Sequence, residues 1–185
     1  FAMSFLVACS NAPEKPKPTK LERITPVIEL TRVASKSLGG RDVTGLRPRI
    51  SESGVAVASA NGEVSLLDAS RLDTIWSEDL DRDIVGGIGM NARALYVTTA
   101  DGALIALSIA DGSVVFEIQL PSVSTTSPEA DAEHVYVKTQ IGRLLAFDAT
   151  TGEPKWVEET QEAGIGIRGS SPMTLVDGAL FVLWE

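Results

Sequence analysis

The chain has 185 residues, room for one ordinary domain or two small ones, and 44% are hydrophobic, which excludes wholesale disorder. Its formal charge is −9, with residues 10–49 at net +5 and residues 50–185 at net −14, so the body lacks the basic footprint of a nucleic-acid binder. One cysteine, Cys9, excludes an intrachain disulfide and any multi-cysteine metal site, and no apolar run reaches the roughly 18 residues of a membrane-spanning helix.

The first element is Phe1-Ala2-Met3-Ser4-Phe5-Leu6-Val7-Ala8, an apolar stretch that reads as the remnant (1–8) of a lipoprotein signal peptide without its basic start. Leu6-Val7-Ala8-Cys9 resembles the bacterial lipobox. A branched apolar residue stands at −3, a small one at −1, then the thiol that forms a thioether to diacylglycerol. The alternative is a chance cysteine in a buried apolar segment. The next segment favours lipidation of Cys9, because Ser10-Asn11-Ala12-Pro13-Glu14-Lys15-Pro16-Lys17-Pro18 is a polar, Pro-rich tether, here assigned to 9–24. The lipobox resemblance, with Ser10 rather than Asp after the cysteine, implies sorting to the outer membrane, facing the periplasm.

Within residues 25–185 the chain repeats. Asn61-Gly62-Glu63-Val64-Ser65-Leu66-Leu67-Asp68, Asp101-Gly102-Ala103-Leu104-Ile105-Ala106-Leu107-Ser108 and Ile141-Gly142-Arg143-Leu144-Leu145-Ala146-Phe147-Asp148 stand at a constant interval of 40 residues. Trp76, Phe116 and Trp156 keep the same interval, as do the upstream runs at Val55, Leu95 and Val135. A fourth run at Leu180 arrives 45 residues after Val135, so five extra residues enter before it. Short apolar runs joined by Asn-Gly and Asp-Gly turns predict strands near Val55–Ser59 and Val64–Asp68 and their repeats. Four short strands per 40-residue period predict an all-β fold, a β-propeller of four-stranded blades, with repeats near 43–82, 83–122, 123–169 and 170–185. The chain stops inside an apolar run, so a truncated propeller over 25–185 is expected.

Ala146-Phe147-Asp148-Ala149-Thr150-Thr151-Gly152-Glu153-Pro154-Lys155-Trp156 resembles the tryptophan-docking repeat of quinoprotein-type propellers. In that pattern Asp148 bonds turn amides, Gly152 supplies positive φ, and Trp156 fills the gap between blades. The second repeat departs from it with Ser108, Asp111 and Phe116; the first keeps Asp68 and Trp76 but has Leu72 in place of the turn glycine.

Together these features resemble the quinoprotein-like family of lipoproteins in the outer-membrane β-barrel assembly (BAM) complex. Its most specific stretch is Ile165-Gly166-Ile167-Arg168-Gly169-Ser170-Ser171-Pro172, similar to that family's Leu-x-Leu-Arg-Gly-x-Ser-x-Pro. The resemblance implies an eight-bladed propeller of which this chain is roughly the first half. It further implies a non-enzymatic scaffold, without cofactor, that aids folding and insertion of nascent β-barrel proteins as a monomer within the complex. The implied partner is the periplasmic POTRA region of BamA, bound through Ile165, Ile167 and Arg168. Spacing alone leaves two readings of 160–169 open: an exposed docking loop, or isoleucines tucked beneath it.

Other chemistry finds little support. Gly164–Gly169 matches G-x-G-x-x-G formally, but Ser170-Ser171-Pro172 stands where a helix is required. Asp79–Asp83 begins like a calcium loop, yet Ile84 and Met90 occupy the glycine and glutamate positions, which leaves a solvated acidic loop. His134, the only histidine, aligns with Gly54 and Ala94 and is expected in an exposed loop. The alternative function is a PQQ-dependent quinoprotein dehydrogenase, with Trp76, Phe116 and Trp156 as stacking candidates. Packing between blades suits them better, because their period equals that of the blades.

Overall fold

The computed structural model describes residues 19, 28, 31–39, 46–159 and 171–184. The chain forms two compact units, Phe1–Arg32 and Val33–Glu185. In the first, Thr19, Ile28, Thr31 and Arg32 are described; all are exposed and none lies in a strand. In the second, the described residues form strands and turns, with no helix among them.

Each sheet is an antiparallel meander. The first consists of β1 (Arg49–Ser51), β2 (Gly54–Ala58), β3 (Glu63–Leu67) and β4 (Thr74–Asp79). The second consists of β5 (Ile84–Met90), β6 (Ala94–Thr99), β7 (Ala103–Ser108) and β8 (Val114–Gln119). The third contains β9 (Glu129–Ala130), β10 (His134–Lys138), β11 (Arg143–Asp148) and β12 (Pro154–Glu159). A hairpin of β13 (Thr174–Val176) and β14 (Ala179–Phe181) comes last. The opening strands are neighbours: β5 touches β1 and β9, and β9 touches β13. The fold is therefore all-β, a run of four-stranded propeller blades.

The second sheet shows why the hydrophobic pattern is nearly continuous rather than alternating. All six residues of β6 are buried, because both faces of this sheet are covered. Leu95 and Val97 join a core with Val64, Leu66 and Trp76 of the first sheet. Ala94 and Tyr96, pointing the opposite way, join Val135, Val137 and Leu145 of the third. Each such buried aliphatic side chain contributes roughly 1.5–3 kcal/mol. The last strands are the wet ones, and every residue of β12 is exposed.

The final hairpin of each full sheet carries the same irregularity. Register shifts fall between Leu66 and Leu67, between Ala106 and Leu107, and between Ala146 and Phe147. Ile75, Val115 and Lys155 are the residues skipped in these pairings. The bulge re-aims the aromatic just beyond it.

One expectation needs correction. His134 is not in an exposed loop: it opens β10, its side chain is 29% exposed, and its ring lies 5.9 Å from that of Tyr136. Gly54 and Ala94, the positions that suggested a loop, open β2 and β6 in the same way. Asp79 likewise ends β4, and its Oδ1 accepts from the Asp81 amide at 3.0 Å. Among the described residues no His, Cys, Asp and Glu cluster could hold a metal ion.

Candidate functional site

The repeat builds its contact between sheets from a turn, a glycine and an aromatic. Between the third and fourth strands of each full sheet, one backbone pattern recurs. The amides of Leu72, Gly112 and Gly152 donate to the carbonyls of Asp68, Ser108 and Asp148, each at 2.9 Å. Asp148 Oδ1 also accepts from the amides of Thr150 (2.9 Å) and Thr151 (3.1 Å), and Lys155 Nζ approaches Oδ2 at 3.0 Å. The Thr150 amide first, then Lys155, holds the Asp148 carboxyl well below the usual carboxylate range. Asp68 does the same with Ser70 and Arg71. At the equivalent place Ser108 Oγ keeps one such bond, from the Ala110 amide at 3.2 Å.

These turns place residues 72, 112 and 152 at φ +61°, +78° and +74°. Glycine has a second reason to occupy the latter two. A Cβ on Gly112 would stand 2.6 Å from Trp76 Cε3, and one on Gly152 would stand 2.7 Å from Phe116 Cδ2. The aromatic of one sheet thus lies flat on the turn glycine of the next. Leu72 adopts the same left-handed conformation without glycine, at a cost of roughly 1–2 kcal/mol.

The aromatics also bond across the sheets. Trp76 Nε1 donates to the carbonyl of Ile109 at 2.8 Å. Phe116 has no such donor, and the equivalent carbonyl, that of Ala149, accepts instead from the Tyr96 hydroxyl at 2.8 Å. Tyr96 reaches it because the cross-strand row runs Tyr96–Ala106–Phe116, where the first sheet has Ala56–Leu66–Trp76. The small central Ala106 lets the two rings meet, 6.3 Å apart. Asn91 Nδ2 donates to the Tyr96 oxygen at 3.0 Å, and burial pushes the phenol up to about 12. In the third sheet the row is Tyr136–Ala146–Trp156, with rings 5.9 Å apart; Trp156 is 42% exposed.

Of the sequence-predicted site residues, the structure therefore describes Trp76, Phe116, Trp156, Asp148 and Gly152. Cys9, Ile165, Ile167 and Arg168 lie outside the described residues. The chain on either side of 160–170 is described. Before it, Glu159 Oε1 receives Arg143 Nε at 2.8 Å. After it, the Ser171 carbonyl accepts from Lys138 Nζ at 3.1 Å. The buried Lys138 also donates to the Leu183 carbonyl at 2.9 Å and lies 5.6 Å from the Trp184 ring. Lys138 and Arg143 flank the turn between β10 and β11.

Sequence reasoning missed Tyr96, Lys138 and Arg143. A signal existed for Lys138: its equivalents in the first two repeats are Ala58 and Thr98, so a charge enters a position that is otherwise small and neutral.

Known proteins resemble this chain in sequence and fold. A family model described as "Outer membrane protein assembly factor BamB" matches residues 33–184. The protein of that name from Burkholderia pseudomallei is 27% identical over 179 residues, covering 96% of this chain and 47% of its own length. The chain thus spans about half the length of the curated relatives it matches. The crystal structure of BamB from Moraxella catarrhalis superposes with a TM-score of 0.65 at 25% identity, covering 71% of this chain and 40% of that one. A quinohemoprotein alcohol dehydrogenase from Comamonas testosteroni superposes at 0.52 with 24% identity, over 64% of this chain and 21% of its own, which is a likeness of fold alone. The chain belongs to the family of the outer membrane protein assembly factor BamB.

Proposed function

We propose that the chain forms part of a non-enzymatic lipoprotein subunit of the BAM complex, held on the periplasmic side of the outer membrane. There it acts as a scaffold for folding and insertion of nascent β-barrel proteins. The observation that carries this reading is the family match over 33–184, joined to a lipobox at Cys9 and an Ile-x-Ile-Arg stretch at 165–168. Cys9 carries the lipid, and several acyl chains give stable anchoring. Trp76, Phe116 and Trp156, with Asp148 and Gly152, dock successive blades into a rigid platform. Ile165, Ile167 and Arg168 bind the POTRA region of BamA: the isoleucines bury apolar area and Arg168 serves as the charged anchor.

One fractionation experiment on the full-length protein tests anchor and docking together. Arg168→Glu should remain in the outer-membrane fraction, keep its melting temperature and lose BamA on co-purification. Cys9→Ala should leave the membrane fraction for the soluble periplasm. BamA retained by well-folded Arg168→Glu overturns the docking assignment, and Cys9→Ala that stays membrane-bound overturns the anchor.

A further inference from the structure

A cavity of about 250 Å³ lies beside the opening strands of the first sheet, the third sheet and the final hairpin. Its walls come from 47–49, from 125–127 with Glu129, and from 172–175. Trp76, Phe116 and Trp156 do not line it, so it offers no ring on which a planar group could stack. The wall at 125–127 is fixed by hydrogen bonds on both sides of Thr125. The Ser124 carbonyl accepts from Thr98 Oγ1 at 2.8 Å, and Ser127 Oγ donates to the Gly87 carbonyl at 2.8 Å. Ser124 and Thr126 are buried. Thr125 between them is half-buried, and its hydroxyl has no partner among the described residues.

The charged part of the lining is cationic. Pro48 holds the residue before it extended, so Arg47 and Arg49 project to one side of the chain. The backbone agrees: the Arg47 amide donates to the Gly87 carbonyl at 3.0 Å. Arg49 Nε donates to the Ile88 carbonyl at 2.9 Å and Nη2 donates to Glu129 Oε1. Its remaining N–H donors have no acceptor among the described residues. The Arg47 side chain has no partner among them at all. The lining therefore sets two cations against one carboxylate, in a body whose residues 50–185 carry net −14. Burial pushes the Glu129 carboxyl up despite Arg49 beside it, so water screens this corner poorly and an ionic contact here is strengthened. Pro48, Pro172, Met173 and Leu175 supply the apolar part.

We infer that this cavity binds an organic carboxylate with an apolar body about the size of a leucine residue. Arg47 and the open donors of Arg49 take the carboxylate, Thr125 adds a neutral hydrogen bond, and the prolines, Met173 and Leu175 cover the apolar body. A volume near 250 Å³ holds about eight water-sized groups, which sets the size. Both a free aliphatic acid and the C-terminus of a peptide present this chemistry. The inference stands apart from the docking assigned to 165–168.

Ligand-observed NMR titration of the full-length, anchor-free protein tests it. The probes are hexanoate and N-acetylleucine, each paired with its uncharged amide. An acid should bind about ten- to hundredfold more tightly than its amide, the range of a hydrogen bond to a charged group. Binding by hexanoate alone assigns the site to free acids, tighter binding by N-acetylleucine assigns it to peptide ends, and equal binding assigns it to the shared carboxylate. Arg47→Ala should keep the melting temperature and weaken the acid about tenfold or more. Thr125→Val keeps the shape of the wall and should weaken it about three- to tenfold. The proposal is overturned if neither acid binds, or if the acids bind no more tightly than their amides. It is equally overturned if either variant, with an unchanged melt, binds the acid as tightly as the native protein.

Discussion

The contact between the first and second sheets and the contact between the second and third satisfy one geometric demand with different side chains. Both lay an aromatic on a turn glycine and both satisfy a turn carbonyl from the sheet before. At the first contact Trp76 does both tasks alone. At the second they are divided: Phe116 covers Gly152 and Tyr96 bonds Ala149. The cost of leaving a buried carbonyl without a donor, about 1–3 kcal/mol, explains why loss of the indole N–H is matched by a phenol two strands away. Divergence within a repeat is thus coupled by row, not by single position.

The most disruptive way to break this comparison is to fill the glycine. Gly112→Val would set a branched side chain into the Trp76 ring at a backbone angle that β-branched residues avoid. It should destabilise the full-length protein by about 3 kcal/mol or more, read as a large drop in denaturant midpoint. A melt within error of wild type would show that the ring does not need the glycine.

Removing the donors is gentler and tests whether the two contacts are equivalent. Trp76→Phe and Tyr96→Phe should each cost about 1–2 kcal/mol by urea unfolding, because each orphans one carbonyl. Adding Tyr96→Phe to Trp76→Phe should give a nearly additive loss, since the two bonds belong to different contacts. Were Tyr96→Phe silent, water would be serving Ala149, and the division of tasks would be wrong.

The smallest effect concerns the left-handed turn without glycine. Leu72→Gly relieves the backbone at φ +61° but restores freedom to the unfolded chain, so the net gain should be under about 1 kcal/mol. A clear loss of stability would mean that the Leu72 side chain has a packing role that outweighs its strained backbone.

Much of this architecture was legible in the sequence, and the reason is periodicity. The interval of 40 residues locates the turns, the aromatics and the sheet pattern, because each sheet is a local meander whose register its own turns set. What the sequence did not disclose lies between repeats. The bond from Tyr96 to Ala149 joins residues 53 apart through a backbone carbonyl, which leaves no trace in residue type. His134 was misplaced for a related reason: comparison with Gly54 and Ala94 reports side-chain size, whereas all three positions open strands. Lys138 was missed although it departs from Ala58 and Thr98 at the equivalent positions, and its acceptors at Ser171 and Leu183 are again carbonyls. Cys9 and Arg168 were readable only as motifs, and they remain in the reading of function rather than of fold.

The direction of these bonds bears on how such a molecule comes to exist. Every side-chain donor that ties the first sheet to the second, or the second to the third, at the aromatic row ends on main-chain oxygen. A main-chain oxygen is present whatever the side chain beside it, and the only identity demanded of the incoming turn is a glycine. A gene segment encoding one repeat can therefore be copied beside itself and function at once, since the copy already contains both halves of the joint. Each copy is afterwards free to substitute its own row, as Tyr96–Ala106–Phe116 has for Ala56–Leu66–Trp76, without waiting for a matching change in its neighbour. Tandem duplication and then independent drift is the history that this joint permits.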